Sequence, residues 1–153
     1  MENSKKEGLK IKGTMIAVLR KADGTVRVCR KDNLIVDSGI DFICAAIGDT
    51  NRGAVMGYVA VGTDDTATDA EQTSLETELA RVAATYTHTT GTNVFTISGY
   101  FGPGVATGTL VEAGVCNAAS SGTFLDRVVF GEITKEAADE LTMTFQFTVT
   151  SGA

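Results

Sequence analysis

Alternating apolar and polar positions dominate the chain and predict β-strands along most of it. The clearest run covers residues 141–149, where every second residue is apolar and threonine or glutamine stands between. Residues 9–20 and 25–30 also alternate, on either side of the turn-forming pair Asp23 and Gly24. The pattern therefore predicts an N-terminal β-hairpin and a late strand with an apolar inner face and a threonine outer face.

The central stretch, residues 58–81, connects the hairpin region to the later strands. Its apolar run at 58–61 predicts a buried strand, and the polar residues 64–72 predict a loop. Residues 73–76 predict a short helical turn that Thr73 or Ser74 would cap, because hydroxyl side chains accept hydrogen bonds from the first helical N–H groups. A further strand is expected from residue 82 to 89.

Later segments continue the strand pattern. Residues 94–101, 108–116 and 124–130 are predicted strands, and residues 133–139 are a predicted connecting turn. One helix is predicted over residues 38–47. Asp37 or Ser38 would cap this helix and Gly48 would end it in a left-handed conformation, while its many apolar positions predict that it is buried.

About eight short strands and one helix predict a mainly β fold, an antiparallel β-sandwich or jelly-roll-like domain with an N-terminal β-hairpin. We expect two parts: a basic N-terminal arm and hairpin at residues 1–32, and a β-sandwich body at residues 33–153. A length of 153 residues is sufficient for a hydrophobic core. No apolar run approaches the ~20 residues that cross a bilayer, and the start MENSKKEG does not predict a secretory signal.

Charge is distributed unevenly along the chain. Residues 1–31 carry a net charge of +6 and residues 32–153 carry −12, for a total of −6. The asymmetry has two readings: it serves solubility alone, or the hairpin docks on an acidic neighbour, which is either another copy or a different protein. Nucleic acid is disfavoured, since the body is acidic and no aromatic residue stands among the basic ones. The predicted partner-binding residues are Lys10, Lys12, Arg20, Arg27, Arg30 and Lys31.

Catalytic chemistry is not indicated, and we expect neither an enzyme nor a cofactor. His88 is the single histidine and lies on a predicted strand beside a turn. Cys44 and Cys116 are expected to act as small core residues, and the three cysteines show no zinc-binding spacing. The loop 64–71 offers four carboxylates that could bind a cation, but it lacks the spacing of a calcium loop, so a solvated acidic loop is the favoured reading.

Several phrases resemble small structural proteins of tailed bacteriophages. These are the strand ending VGT at 61–63, the phrase LETELAR at 75–81, EAGVCN at 112–117, GTFLDRVVF at 122–130, and ITK at 133–135, all in this order. The upstream phrase NLIVDSG at 33–39 fits the same order, so the resemblance covers residues 33–149. Such phrases occur in head, tail and fibre proteins alike.

The resemblance implies a structural component of a virion that assembles in the host cytoplasm. A head decoration or cement protein is favoured, with the major capsid protein or another virion protein as partner and a homo-oligomer, most simply a trimer, as the assembled form. The alternatives are a tail, collar or fibre-base protein, and a glycan-binding module of the cell-surface type. The absence of tryptophan weakens the glycan alternative.

Overall fold

The structure, a computed structural model, describes residues 8–152 of the chain. The start of the predicted basic arm, residues 1–7, lies outside the described residues. In chain order the elements are β1 (Leu9–Arg20), β2 (Val26–Asp32), β3 (Leu34–Ile35), α1 (Asp37–Gly48), β4 (Tyr58–Gly62), β5 (Glu78–His88), β6 (Val94–Phe101), β7 (Gly108–Cys116), β8 (Asp126–Lys135) and β9 (Glu140–Ser151).

The nine strands form one antiparallel ladder in the order β2-β1-β9-β6-β5-β4-β7-β8-β3. The ladder bends at β5, because residues 78–83 pair with β4 whereas residues 84–88 pair with β6. Its two halves face each other and contribute side chains to a single core. The predicted fold class, mainly β and antiparallel with one short helix, an N-terminal hairpin and a sandwich-like arrangement, is confirmed.

The core lies between β1, β9 and β6 on one side and β4, β7 and β8 on the other. Its members are the inward residues of each strand, such as Met15, Phe145, Val59 and Val128, all almost completely buried. Burying a large apolar side chain of this kind stabilises the fold by roughly 1.5–3 kcal/mol. The alternation predicted for β9 is confirmed, because Leu141, Met143, Phe145 and Phe147 point into the core and the threonines between them point outward.

The N-terminal hairpin turns where the sequence predicts it, at Gly24, whose φ of +89° is a conformation that glycine adopts without a steric penalty. Its first strand pairs with β9 along its whole length and supplies Met15, Ala17 and Leu19 to the core. The hairpin is therefore continuous with the main sheet. The division at residue 32 into two parts stays a prediction.

Two predictions for the connections between strands are wrong. Residues 73–76 form bends instead of a helical turn, because the N–H groups of Glu76 and Thr77 donate to the carboxylate of Glu112 and so need no helical acceptor. The connecting turn predicted at 133–139 also begins too early in the sequence. Strand β8 continues through Lys135, with Ile133 opposite Leu110 and buried in the core.

The helix differs from its prediction in both its ends and its burial. It begins at Asp37 after Val36, and neither Asp37 nor Ser38 caps it through a side chain, since the Ser38 hydroxyl donates instead to the Phe124 carbonyl at 3.1 Å. Gly48 is the last helical residue, and Asp49 leaves the helix in an extended conformation. The prediction of a buried helix is wrong: among its residues only Gly39 is buried.

Candidate functional site

The six predicted basic residues lie on two opposite faces of the hairpin. Lys10, Lys12 and Arg20 occupy the outward positions of β1, and Arg30 joins them because it stands directly opposite Ile16. Arg27 and Lys31 stand opposite Leu19 and Met15, whose side chains point inward, so both lie on the other face of β2. Lys10 and Arg20 are about 34 Å apart along the strand. The structure therefore divides the predicted site into two surfaces.

The outer face of the hairpin combines these charges with apolar side chains. Val26 is 49% exposed and Val28 is 58% exposed, and both neighbour the outward Val18 of β1. Arg20 pairs in register with Val26, and Arg30 lies two residues beyond Val28. We call the set Arg20, Val26, Val28 and Arg30 the hairpin patch.

Ion pairs neutralise only part of the basic charge. Lys12 Nζ lies 3.5 Å from Asp32 in an exposed pair, which is worth about 0–1 kcal/mol. Lys21, at the hairpin turn, donates to the buried Asp139 at 2.8 Å and fastens the turn to the loop between β8 and β9. This hydrogen bond raises the pKa of Lys21 and lowers the pKa of Asp139.

Helix α1 carries a second exposed apolar surface. Ile40, Cys44 and Ile47 follow one another at intervals of four and three residues and so share a side of the helix. Ile40 is 51% exposed, Ile47 is 87% exposed, and Cys44 is exposed, which contradicts the prediction that Cys44 lies in the core. We call these three residues the helix stripe.

A groove with a volume of about 580 Å³ lies between α1 and the inner face of the first half of the sheet. Its walls are apolar except for the hydroxyl of Tyr86 and for Arg52, whose guanidinium donates to the Ala46 carbonyl at 2.8 Å. The sheet side includes Phe95 and Phe147, whose rings stack with centroids 4.9 Å apart. The groove is therefore suited to apolar groups and offers few polar atoms to orient a reactive substrate.

The first turn of the helix is held by close contacts with the rest of the chain. Its first residues are held by a hydrogen bond from Asp37 N to the Ala70 carbonyl at 2.8 Å and by the close approach of Gly39 to the Leu125 carbonyl, where a Cβ atom would overlap the oxygen. Its later residues, Phe42, Ile43 and Ala46, form one wall of the groove. The half of α1 that carries Ile47 thus borders the groove.

A buried ion pair between Glu112 and Arg127, which we call the charged joint, holds the loop from Thr63 to Thr77. Glu112 accepts hydrogen bonds from the backbone N–H groups of Asp64, Glu76 and Thr77, and it lies 3.6 Å from Arg127. Arg127 in turn donates to the carbonyls of Asp64 and Thr66 and to the side chain of Gln72, and these bonds close the loop. The sequence analysis did not predict this pair. A signal was present, because Glu112 and Arg127 each interrupt an apolar run, and a charged residue in a buried strand needs a partner.

The acidic loop itself is ordered by local bonds. Asp64 and Asp69 each accept a hydrogen bond from the backbone N–H group two residues later, at 2.8 Å in both cases. The hydrogen bond from Thr66 lowers the pKa of Asp64. Within residues 8–152, no group of three or more histidine, cysteine or acidic side chains is arranged to hold a metal ion. The favoured reading of residues 64–71, a solvated acidic loop, stays a prediction.

Asp126 is a buried carboxyl group at the junction of the hairpin and the body. It accepts hydrogen bonds from the backbone N–H of Val115 at 2.8 Å and from the side-chain amide of Asn33. Burial raises the pKa of Asp126 to about 7, although both hydrogen bonds oppose that shift. Asn33 follows β2 directly, so its hydrogen bond to Asp126 links the end of the hairpin to the body.

The remaining chemically reactive side chains are not gathered into one site. His88 is exposed on β5, where its Nδ1 lies 2.9 Å from the Val94 carbonyl. Cys116 is buried, as predicted, and burial raises its thiol pKa to about 11, which disfavours the reactive thiolate. These positions bring no nucleophile and base together within the part of the chain that the structure describes.

Comparison with known proteins does not assign the chain to a family. Protein-family profiles, curated proteins and solved structures were compared with the chain, and none of them matches it. The described part of the chain contains no helix that is both long and apolar enough to cross a membrane.

Proposed function

We propose that this chain is a non-enzymatic structural component of a tailed-bacteriophage virion, and specifically a head decoration protein that stabilises the capsid by bridging its subunits. The observation that carries the proposal is that β2 is an exposed, basic edge strand. This strand ends the ladder, six of its seven residues are exposed, and basic side chains stand on both of its faces. The resemblance of residues 33–149 to virion proteins supplies the phage context.

An open strand edge of this kind is normally covered, since its unpaired N–H and C=O groups can pair with another chain. A basic edge fits an acidic surface, because complementary charges speed association and select the orientation of the partner. A protein that binds only the assembled shell stabilises it by mass action, by about 2.7 kcal/mol for each site at a free concentration one hundred times the Kd. Capsid reinforcement therefore needs no catalytic group.

Co-sedimentation of the purified chain with empty phage shells, with isolated tails and with host cells tests the proposal. We expect saturable binding to shells, which then resist heating to a higher temperature. Binding to tails or to host cells alone would overturn the head assignment and favour a tail, collar, fibre-base or glycan-binding role. Binding to none of the three would overturn the virion assignment.

Charge reversal tests whether the hairpin is the docking element. The variants are Lys10→Glu with Lys12→Glu on the outer face and Arg27→Glu with Lys31→Glu on the opposite face. At least one pair should weaken shell binding, and the wild-type binding should weaken as salt rises, because exposed charges are screened within about 10 Å at 0.1 M. The control is Thr85→Glu with Thr87→Glu, which adds negative charge on exposed positions of β5.

Deleting the hairpin is not an equivalent experiment, since β1 contributes core residues and pairs fully with β9. Undiminished shell binding by both reversal pairs would show that the hairpin is not the docking element. Salt-independent binding would point instead to the apolar surfaces.

A further inference from the structure

The helix stripe is an apolar surface that its own chain leaves uncovered. Ile40, Cys44 and Ile47 form a continuous row about 10 Å long on the solvent side of α1. Asp37 and Asp41 lie beside the row, one turn apart, and neither forms an ion pair within residues 8–152. A helix face that is both apolar and acidic, beside an apolar groove, is typical of a surface that binds another protein.

The hairpin patch has the complementary composition. Val26 and Val28 form an exposed apolar row about 7 Å long, and Arg20 and Arg30 stand at its two ends. No described acidic side chain pairs with either arginine. The patch therefore offers an apolar centre with positive ends, where the helix offers an apolar row with negative neighbours.

One copy cannot bring these two surfaces together. The hairpin patch lies on the outer face of the sheet, whereas the groove beneath α1 is lined by the inner face, including Ile11 and Phe147. The sheet itself separates the two surfaces. Any contact between them must therefore join two copies, either reciprocally across a two-fold axis or head-to-tail.

We propose that the hairpin patch of one copy binds the helix stripe of a second copy, so that Val26 and Val28 cover Ile40 and Ile47 while Arg20 and Arg30 pair with Asp37 and Asp41. Repetition of a head-to-tail contact closes into a ring when the rotation permits. The contact between copies needs no shell. Self-association can therefore be lost while shell docking through Lys10, Lys12, Arg27 or Lys31 is kept, and shell docking can be lost while self-association is kept.

Sedimentation velocity of the full chain over a range of concentrations tests the contact. We expect a defined oligomer in the wild type, and about tenfold weaker association in Asp37→Lys with Asp41→Lys and in Arg20→Asp with Arg30→Asp, since like charges then face each other. The chain that carries all four changes should associate again, because its surfaces are complementary and its net charge is unchanged. Thermal melting of each variant confirms folding, and Asp65→Lys with Glu71→Lys is the matched control.

The contact would be overturned by a wild type that is monomeric at all concentrations, or by reversal variants that associate as the wild type does. Failure of the four-fold variant to regain association would also overturn it. If the reversal variants still associate as the wild type does, self-association belongs to another surface, and the groove remains open to a small apolar ligand.

Disulfide trapping gives a second, independent readout. The native Cys44 lies in the helix stripe, and Val28→Cys places a thiol in the hairpin patch. Mild oxidation should link residues 28 and 44 of different copies, and peptide mapping should identify that pair. Adding Cys44→Ser should abolish the link, and Thr148→Cys, on the same sheet face but away from the patch, should not form it. Equal linkage of the two introduced cysteines would contradict the proposed contact.

Discussion

Two groups of charged side chains in this protein are organised in opposite ways. Glu112 and Arg127 are buried, and backbone and side-chain groups satisfy most of their hydrogen-bonding capacity. The arginines of the hairpin patch are exposed and unpaired among the described residues, and so are the aspartates beside the helix stripe. The difference separates two roles: internally satisfied charge holds the fold, and exposed charge without a partner in the described chain is available for contact with other molecules.

Removing the buried acceptor should produce the largest effect. Glu112→Ala leaves three backbone N–H groups and the buried Arg127 guanidinium without their carboxylate partner. Breaking a buried pair by deleting one partner costs about 3–5 kcal/mol. We expect a loss of that size in the free energy of unfolding, measured by urea denaturation.

Glu132→Ala, at an exposed position on β8, is the matched control and should change stability by less than about 0.5 kcal/mol. A double variant, Glu112→Ala with Arg127→Met, should lose less stability than the sum of its single changes, because it removes both charges together. Additive losses would show that the two residues do not act as a joint.

A smaller and pH-dependent effect is expected at Asp126. Its pKa is raised from 3.8 to about 7 in the folded protein, so folding favours the protonated form. The resulting stabilisation is present in full below pH 3.8 and is lost as the pH rises through about 7, to a total of about 4 kcal/mol at 1.36 kcal/mol per unit. Asp126→Asn should therefore become progressively more stable than the wild type as the pH rises.

Urea denaturation at several values between pH 4 and pH 8 measures this difference. Asp65→Asn, in the exposed acidic loop, is the control and should track the wild type across the series. A difference between Asp126→Asn and the wild type that does not change with pH would contradict ionisation of a buried carboxyl group.

The strands were predictable because their signal is local. In β1, β6, β7 and β9 the period of two is set by neighbouring residues, and those predictions match the structure within two residues. The bends at 73–77 were not predictable in the same way. There, a carboxylate from β7, 35 residues or more away, supplies the acceptors that a helical turn would otherwise need.

The helix shows a different limit of sequence reasoning. Apolar residues around most of its circumference predicted burial, and the pattern holds no information on which partner buries them. The structure divides them between the groove, which contacts Phe42 and Ile43, and the helix stripe, which contacts solvent. The division of the basic residues between two hairpin faces likewise depends on the register with β1, which the composition does not specify.

The smallest effect on stability is expected at the helix stripe. Ile47→Ser removes an apolar side chain that is 87% exposed, so the free energy of unfolding of the single copy should change by no more than about 0.5 kcal/mol. Phe147→Ala, beneath the same helix but fully buried, should lose about 3–5 kcal/mol. Thermal denaturation at low protein concentration compares the two. A loss above 2 kcal/mol for Ile47→Ser would show that Ile47 packs within its own chain and would remove it from the surface available to a second copy.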